Sequence, residues 1–188
     1  MGANPEREAP FFFCKPADAV CLEGTKLPFP LATENLHHEI ELVVAIGKKG
    51  THILASEALD HVFGYAVGLD LTRRDLQGEA KKKGRPWTTA KGFDHSAPCS
   101  AVHPVCEVCH MEQGKITLSV NGELRQQGDI SDMIWSVPEV ISSLSGLFEL
   151  YPGDLIYTGT PAGVSPLKRG DRLEGEVENL TRLNIVIV

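Results

Sequence analysis

The sequence predicts a β-rich α+β domain, on three grounds. Apolar runs of strand length outnumber helix-like stretches, and they do not alternate with helices in the βαβ manner of a parallel sheet. The dipeptide Asn121-Gly122 separates two such runs, 116–120 and 123–125, which is the strongest short-range hairpin signal a sequence offers. At 188 residues the chain fits a single domain spanning 1–188, since domains usually run to roughly 100–200 residues around one core. Its hydrophobic fraction of 42% and charged fraction of 23% are those of a folded globular chain, not of a disordered or fibrous one.

The elements come in this order along the chain. Residues 1–35 are rich in proline around one apolar run, Phe11-Phe12-Phe13, and are expected to form extended segments and turns. Over 37–46 the sequence HHEIELVVAI alternates and then becomes apolar, which suits a strand entering a core from a polar mouth, with Gly47-Lys48-Lys49-Gly50 as its turn. Ser56 is placed as the cap of a short helix reaching Val62, and 65–71 (YAVGLDL) as a buried strand. Residues 72–83 are helix formers closed by Gly84 at the C′ position. Ser131-Asp132 caps a further helix, whose regular part is expected from Ser136 because Pro138 belongs in a first turn. A strand at 154–158 ends in Gly159-Thr160-Pro161-Ala162-Gly163, and 172–188 supplies two more strands.

Charge and cysteine content exclude several function classes. A net charge of −7 argues against a nucleic-acid or anionic-membrane partner, because phosphate surfaces are bound through clustered Lys and Arg. The one basic run, Lys81-Lys82-Lys83 with Arg85, fits a solvated helix end favoured by the C-terminal dipole. No stretch approaches the roughly 18 apolar residues of a membrane span. Residues 1–8 lack the basic-then-apolar order of a secretion signal, so a cytoplasmic location is expected. The five cysteines are an odd number in a chain with no export signal, which speaks against structural disulfides. Cys106-Glu107-Val108-Cys109-His110 has the spacing of a c-type haem attachment site and, with His103, offers four soft ligands for zinc. Haem attachment ordinarily follows export, and adjacent Cys109 and His110 suit a tetrahedral site poorly. A loop with incidental thiols is the expectation.

The chemistry points to a different cluster. On a strand, side chains at i and i+2 share a face, so Glu39 and Glu41 project together beside His37. The pair runs straight into Leu42-Val43-Val44-Ala45-Ile46, where desolvation makes two like charges costly unless a cation compensates them. Asp70 follows a second apolar run. Three carboxylates make an oxygen-only donor set, which suits Mg²⁺ or Mn²⁺, admits Ca²⁺, and is less suited to Zn²⁺. Spacing alone leaves open an exposed polar strand face.

The wider pattern resembles a known family. His37-His38-Glu39-Ile40-Glu41-Leu42 is followed by Gly68-Leu69-Asp70-Leu71-Thr72-Arg73-Arg74-Asp75-Leu76-Gln77, then by Lys82-Lys83-Gly84-Arg85-Pro86-Trp87 and Ala90-Lys91-Gly92-Phe93-Asp94. Val120-Asn121-Gly122-Glu123 and Thr158-Gly159-Thr160-Pro161-Ala162-Gly163-Val164 complete the series. In order and spacing these resemble the fumarylacetoacetate hydrolase family from Phe11 to Val188. Phe11-Phe12-Phe13-Cys14-Lys15-Pro16-Ala17-Asp18-Ala19 is most similar to its small acylpyruvate hydrolases, of the fumarylpyruvate type used in aromatic breakdown. The resemblance implies a rolled, layered β fold, Mg²⁺ or Mn²⁺ on Glu39, Glu41 and Asp70, and a homodimer. The implied substrates are 2,4-diketo acids, cleaved at a carbon–carbon bond to pyruvate and a second carboxylate. A metal-dependent oxaloacetate decarboxylase or keto-acid isomerase is the alternative on the same scaffold. By the same resemblance Arg74, Gln77 and Thr160 bind the substrate carboxylates, and Lys91 faces the developing negative charge. His37 and His38 precede the metal carboxylates and are expected to support Glu39 or Glu41 from behind.

One departure qualifies this expectation. Small members of the family begin with a strand and a lid helix that carry a water-activating His and Glu, and nothing before Phe11 corresponds to them. Residues 1–10 resemble the stretch just after that helix, and the missing roles are not transferred to Glu6 or Glu8. A chain that starts at Met1 is therefore expected to have an intact metal site, an exposed sheet edge and little hydrolase activity.

Overall fold

The structure is a computed structural model that describes residues 8–188. Expectations placed on residues 1–7 lie outside the described residues. The run Ile40–Ile46 is buried at every position, which only a strand interior to a sheet covered on both faces can satisfy. With strands numbered along the chain, the sheet around it runs β1 (Val20–Leu22), β7 (Ala97–Cys99), β5 (Val62–Leu69), β4 (Ile40–Ile46) and β11 (Leu155–Tyr157), and β8 (His103–Pro104) also pairs with β5. A second sheet runs β10 (Glu123–Asp129), β9 (Lys115–Val120), β12 (Arg172–Val177), β13 (Leu183–Ile187) and β2 (Lys26–Leu27). β3 (Leu36–His37) and β6 (Thr72–Arg73) form a short ribbon at the end of β4. The α-helices are short: α1 (Arg74–Lys82), α2 (Thr88–Lys91), α3 (Val105–Val108) and α4 (Val137–Ser145).

The two sheets share one core. Ile40, Leu42, Val44, Val67 and Leu69 of the first pack in the same cluster as Leu118, Leu173 and Ile185 of the second. The approach is close, because a Cβ placed on Gly175 of β12 would lie 2.7 Å from Ile40 Cδ1. Val43, Ala66 and Cys99 form a small separate cluster. The β-rich α+β fold and its layered sheets are as expected.

The hairpin forms as predicted. Asn121 at φ 54° and Gly122 at φ 80° are both left-handed, as a twist-matched two-residue turn requires. The helix after Ser136 begins there, with a capping box between Ser136 and Glu139 and Pro138 in its first turn.

Several expected boundaries move. The strand expected over 37–46 divides into β3 and β4, with His38 and Glu39 between them, and burial is continuous instead of alternating. The strand expected to include Asp70 ends at Leu69. The helix expected from Thr72 starts at Arg74, because Thr72 and Arg73 pair with β3. Ser56 caps nothing. The segment Ala55–His61 is a 3₁₀ helix whose N-cap is Leu54. Ser131 and Asp132 lie in a 3₁₀ turn capped by the Asp129 side chain. Among the described residues no helix is long and apolar enough to cross a membrane.

Candidate metal centre

The antiparallel pairing of β4 with β5 sets Ile40 opposite Leu69 and Glu41 opposite Gly68. One step further the Asp70 N–H donates to Glu39 O at 2.9 Å, so the ladder continues past the strand ends and brings Asp70 beside Glu39. Glu39, Glu41 and Asp70 are all buried, and one carboxylate oxygen from each lies within 4.8 Å of the others. Among the described residues this is the only group of three or more His, Cys, Asp or Glu side chains so placed.

Three cations pair with two of the three carboxylates, Glu39 and Asp70. Lys91, at the end of α2 and only 2% exposed, donates from Nζ to Glu39 Oε2 at 2.7 Å, Asp70 Oδ2 at 2.5 Å and Thr72 Oγ1 at 2.6 Å. Lys15 Nζ lies 2.8 Å from Asp70 Oδ1 and donates to Leu71 O at 3.1 Å and to Lys91 O. Arg74 pairs with Glu39 Oε1 and donates from its other terminal nitrogen to Gln77 Oε1 at 2.6 Å, one turn along α1. Burial and the Asp70 charge push the Glu41 carboxyl well above the usual range. Burial also raises Asp70, outweighing Lys15 and Lys91. At Glu39 burial is overcome by the charge and hydrogen bond of Lys91 and by Arg74, which hold its carboxyl below the usual range.

The donor set fits a hard divalent cation. Among the described residues, Asp70 Oδ1 is buried without a hydrogen bond, held only in the ion pair with Lys15. Glu41 Oε2 accepts from Gly159 N at 2.8 Å, and Glu41 makes no ion pair among the described residues. A carboxylate buried like Glu41 with no ion pair is expensive to keep charged. All the donors are oxygens, as Mg²⁺ and Mn²⁺ prefer.

The other expected residues surround this centre unevenly. Gln77 is buried beside Arg74. Thr160 lies on the loop after β11, which is tied to β4 by Thr158 Oγ1 donating to Leu42 O at 2.9 Å and by the Gly159 bond to Glu41. The histidines do not behave as expected. His37 Nε2 lies 3.0 Å from Asn35 Oδ1, and His38 reaches Gln126 and Ser165, so neither supports a metal carboxylate directly.

Sequence reasoning misses Lys15 as a site residue. Its signal is a lone lysine directly after the apolar run Phe11-Phe12-Phe13-Cys14. Beside it, the Phe13 ring centroid lies 4.8 Å from Lys91 Nζ, and Trp87 packs edge-on to Phe11 with centroids 5.4 Å apart. The Cys106–His110 stretch contains a one-turn helix, α3, where a loop was expected. Cys106 and Cys109 are exposed, and His110 Nδ1 lies 3.0 Å from Tyr65 Oη.

Known proteins resemble this chain in sequence and fold. The family described as fumarylacetoacetate (FAA) hydrolase C-terminal matches residues 1–188. A fumarylpyruvate hydrolase from Ralstonia is 43% identical over 180 residues, covering 96% of this chain and 93% of that one. A human mitochondrial oxaloacetate tautomerase is 45% identical over 178 residues, covering 95% and 80%. The crystal structure of a fumarylpyruvate hydrolase from Pseudomonas aeruginosa with Mn²⁺ and pyruvate superposes with a TM-score of 0.97 at 52% identity, covering 100% of this chain and 82% of that one. With its layered sheets and buried carboxylate triad, the chain belongs to the fumarylacetoacetate hydrolase family.

Proposed function

We propose that the chain is a Mg²⁺- or Mn²⁺-dependent acylpyruvate hydrolase that acts on 2,4-diketo acids such as fumarylpyruvate. The observation that carries this reading is the buried triad Glu39, Glu41 and Asp70 with Lys91 and Arg74 packed against it. The Pseudomonas aeruginosa structure, which contains Mn²⁺ and pyruvate, supports it. A homodimer in the cytoplasm is part of the same reading.

In the reaction, water adds to the acyl carbonyl carbon. The carbon–carbon bond to the pyruvoyl methylene then breaks, and its electron pair passes to the pyruvate enolate, which takes a proton to become pyruvate. A divalent cation held by Glu39, Glu41 and Asp70 supplies positive charge that stabilises this enolate. Arg74 offers the planar fork that a carboxylate needs, with Gln77 beside it. Thr160 donates to the pyruvoyl carboxylate. Lys91, which is buried and already ordered by three hydrogen bonds, presents its ammonium group to the developing charge without reorganisation.

A second reading, keto–enol exchange of oxaloacetate, is favoured by the 45% identity to the human oxaloacetate tautomerase. It needs the same enolate but no attacking water. Fumarylpyruvate and oxaloacetate, each given to the 188-residue chain with and without Mn²⁺, separate the two. Slow Mn²⁺-dependent release of one pyruvate per fumarylpyruvate is the expected result, in keeping with the little hydrolase activity expected of these 188 residues. Accelerated exchange of oxaloacetate without pyruvate release replaces hydrolase with tautomerase, and Mn²⁺ binding with neither activity leaves a metal-binding domain without turnover.

A further inference from the structure

Strand β10 inverts the usual burial of its residues. Leu124 is 55% exposed, while Gln126, two positions later, is fully buried. On a regular strand the two would share a face. A β-bulge separates them: Leu124 stands opposite Ser119 and Gln126 opposite Leu118, so Arg125 is the extra residue. The bulge turns an amide into the core and leaves a leucine in water, the reverse of what packing favours. The loop after β11 lies against this bulge. Gly163, at φ 102°, approaches so closely that a Cβ there would sit 2.1 Å from Arg125 O.

Every hydrogen-bonding position of the Gln126 amide is used. Oε1 accepts from Ile40 N at 3.1 Å and faces His38 Nδ1 at 2.8 Å. Nε2 donates to Pro161 O at 2.9 Å and to Thr160 Oγ1 at 2.8 Å. The orientation of the amide is forced, because a proline carbonyl can only accept and a backbone N–H can only donate. His38 must therefore carry a proton on Nδ1, and its Nε2, 2.8 Å from Ser165 Oγ, is anchored in turn. Thr160 Oγ1 receives a hydrogen from Gln126, so its own hydroxyl hydrogen is left to point elsewhere.

We infer that Gln126 is a positioning residue for substrate: it orients the Thr160 hydroxyl as a donor to the carboxylate of a bound 2-oxo acid. The inference rests on the proposed role of Thr160. Through Ile40 N, between Glu39 and Glu41, the same amide ties this donor to the strand that carries two of the three metal carboxylates. The donor's direction is thereby set by a side chain from the other sheet, before substrate arrives.

The test is pyruvate affinity of the Mn²⁺-loaded protein, with Mn²⁺ affinity measured separately. Thr160→Val and Gln126→Met are each expected to weaken pyruvate binding by about ten-fold, the effect of one hydrogen bond to a charged group. The double variant should bind pyruvate no more weakly than Thr160→Val alone, because Gln126 acts through that hydroxyl. Fold-changes that multiply in the double variant overturn the inference, as does an unchanged affinity in Gln126→Met. No effect of Thr160→Val overturns the carboxylate role of Thr160 itself, a distinguishable failure. Should Gln126→Met not fold, the unaltered protein with Mg²⁺ provides a second measurement. Pyruvate is expected to shift the Gln126 side-chain amide resonances, and resonances that stay in place overturn the inference.

Discussion

Two segments of this chain offer a metal-binding pattern, and the fold treats them in opposite ways. Glu39, Glu41 and Asp70 come from the ends of adjacent central strands, are buried, and converge to within 4.8 Å. Cys106, Cys109 and His110 lie close together in sequence, yet the two thiols are exposed on and just after a single helical turn. The nearby imidazoles are engaged elsewhere: His110 with Tyr65, and His103 Nε2 accepting from Thr181 N at 3.1 Å. Closeness along the chain does not by itself make a site, since Asp70 reaches Glu39 across a β ladder from a remote stretch. Burial decides whether their charge must be compensated, and that need is what makes a cation site.

Breaking the buried cluster should have the largest effects. Glu41→Ala removes a donor that has no ion pair among the described residues, and Mn²⁺ affinity measured by titration calorimetry should fall by more than about 100-fold, beyond the loss typical of an outer partner. Unchanged affinity would remove the site. Lys91→Met leaves Glu39 and Asp70 buried without their shared cation. The metal-free variant should lose about 3–5 kcal/mol in urea unfolding, the usual consequence of removing one member of a buried pair. Saturating Mn²⁺ should restore part of that loss, and equal losses with and without Mn²⁺ would show that cation and metal do not share the carboxylates.

The exposed motif should respond weakly and differently. Cys109 sits at φ 62° and ψ −178°, a region that belongs to glycine. Cys109→Gly should therefore stabilise the protein by up to about 1 kcal/mol while leaving Mn²⁺ affinity unchanged. A destabilised variant, or one with altered metal affinity, would give this segment a role that the comparison denies it.

Much of the fold was legible from residues 116–188, where turns and caps have local causes. Asn121-Gly122 and Ser136 with Glu139 act through their own backbone, so sequence suffices. Strand limits near the site were not legible, because Glu39 and Asp70 join through a ladder whose partners are remote in sequence.

By itself the sequence determined the family, the sheet-forming runs and the identity of the three carboxylates, since periodicity and motif order are properties of the chain. Tertiary structure alone decided which cations face those carboxylates, bringing Lys15 to Asp70 from a remote stretch that carries no local pattern for it. It also decided that a glutamine, not a leucine, enters the core of β10. Both outcomes depend on one sheet meeting another, where a bulge or a long-range ion pair is stabilised by neighbours that no local stretch of sequence contains.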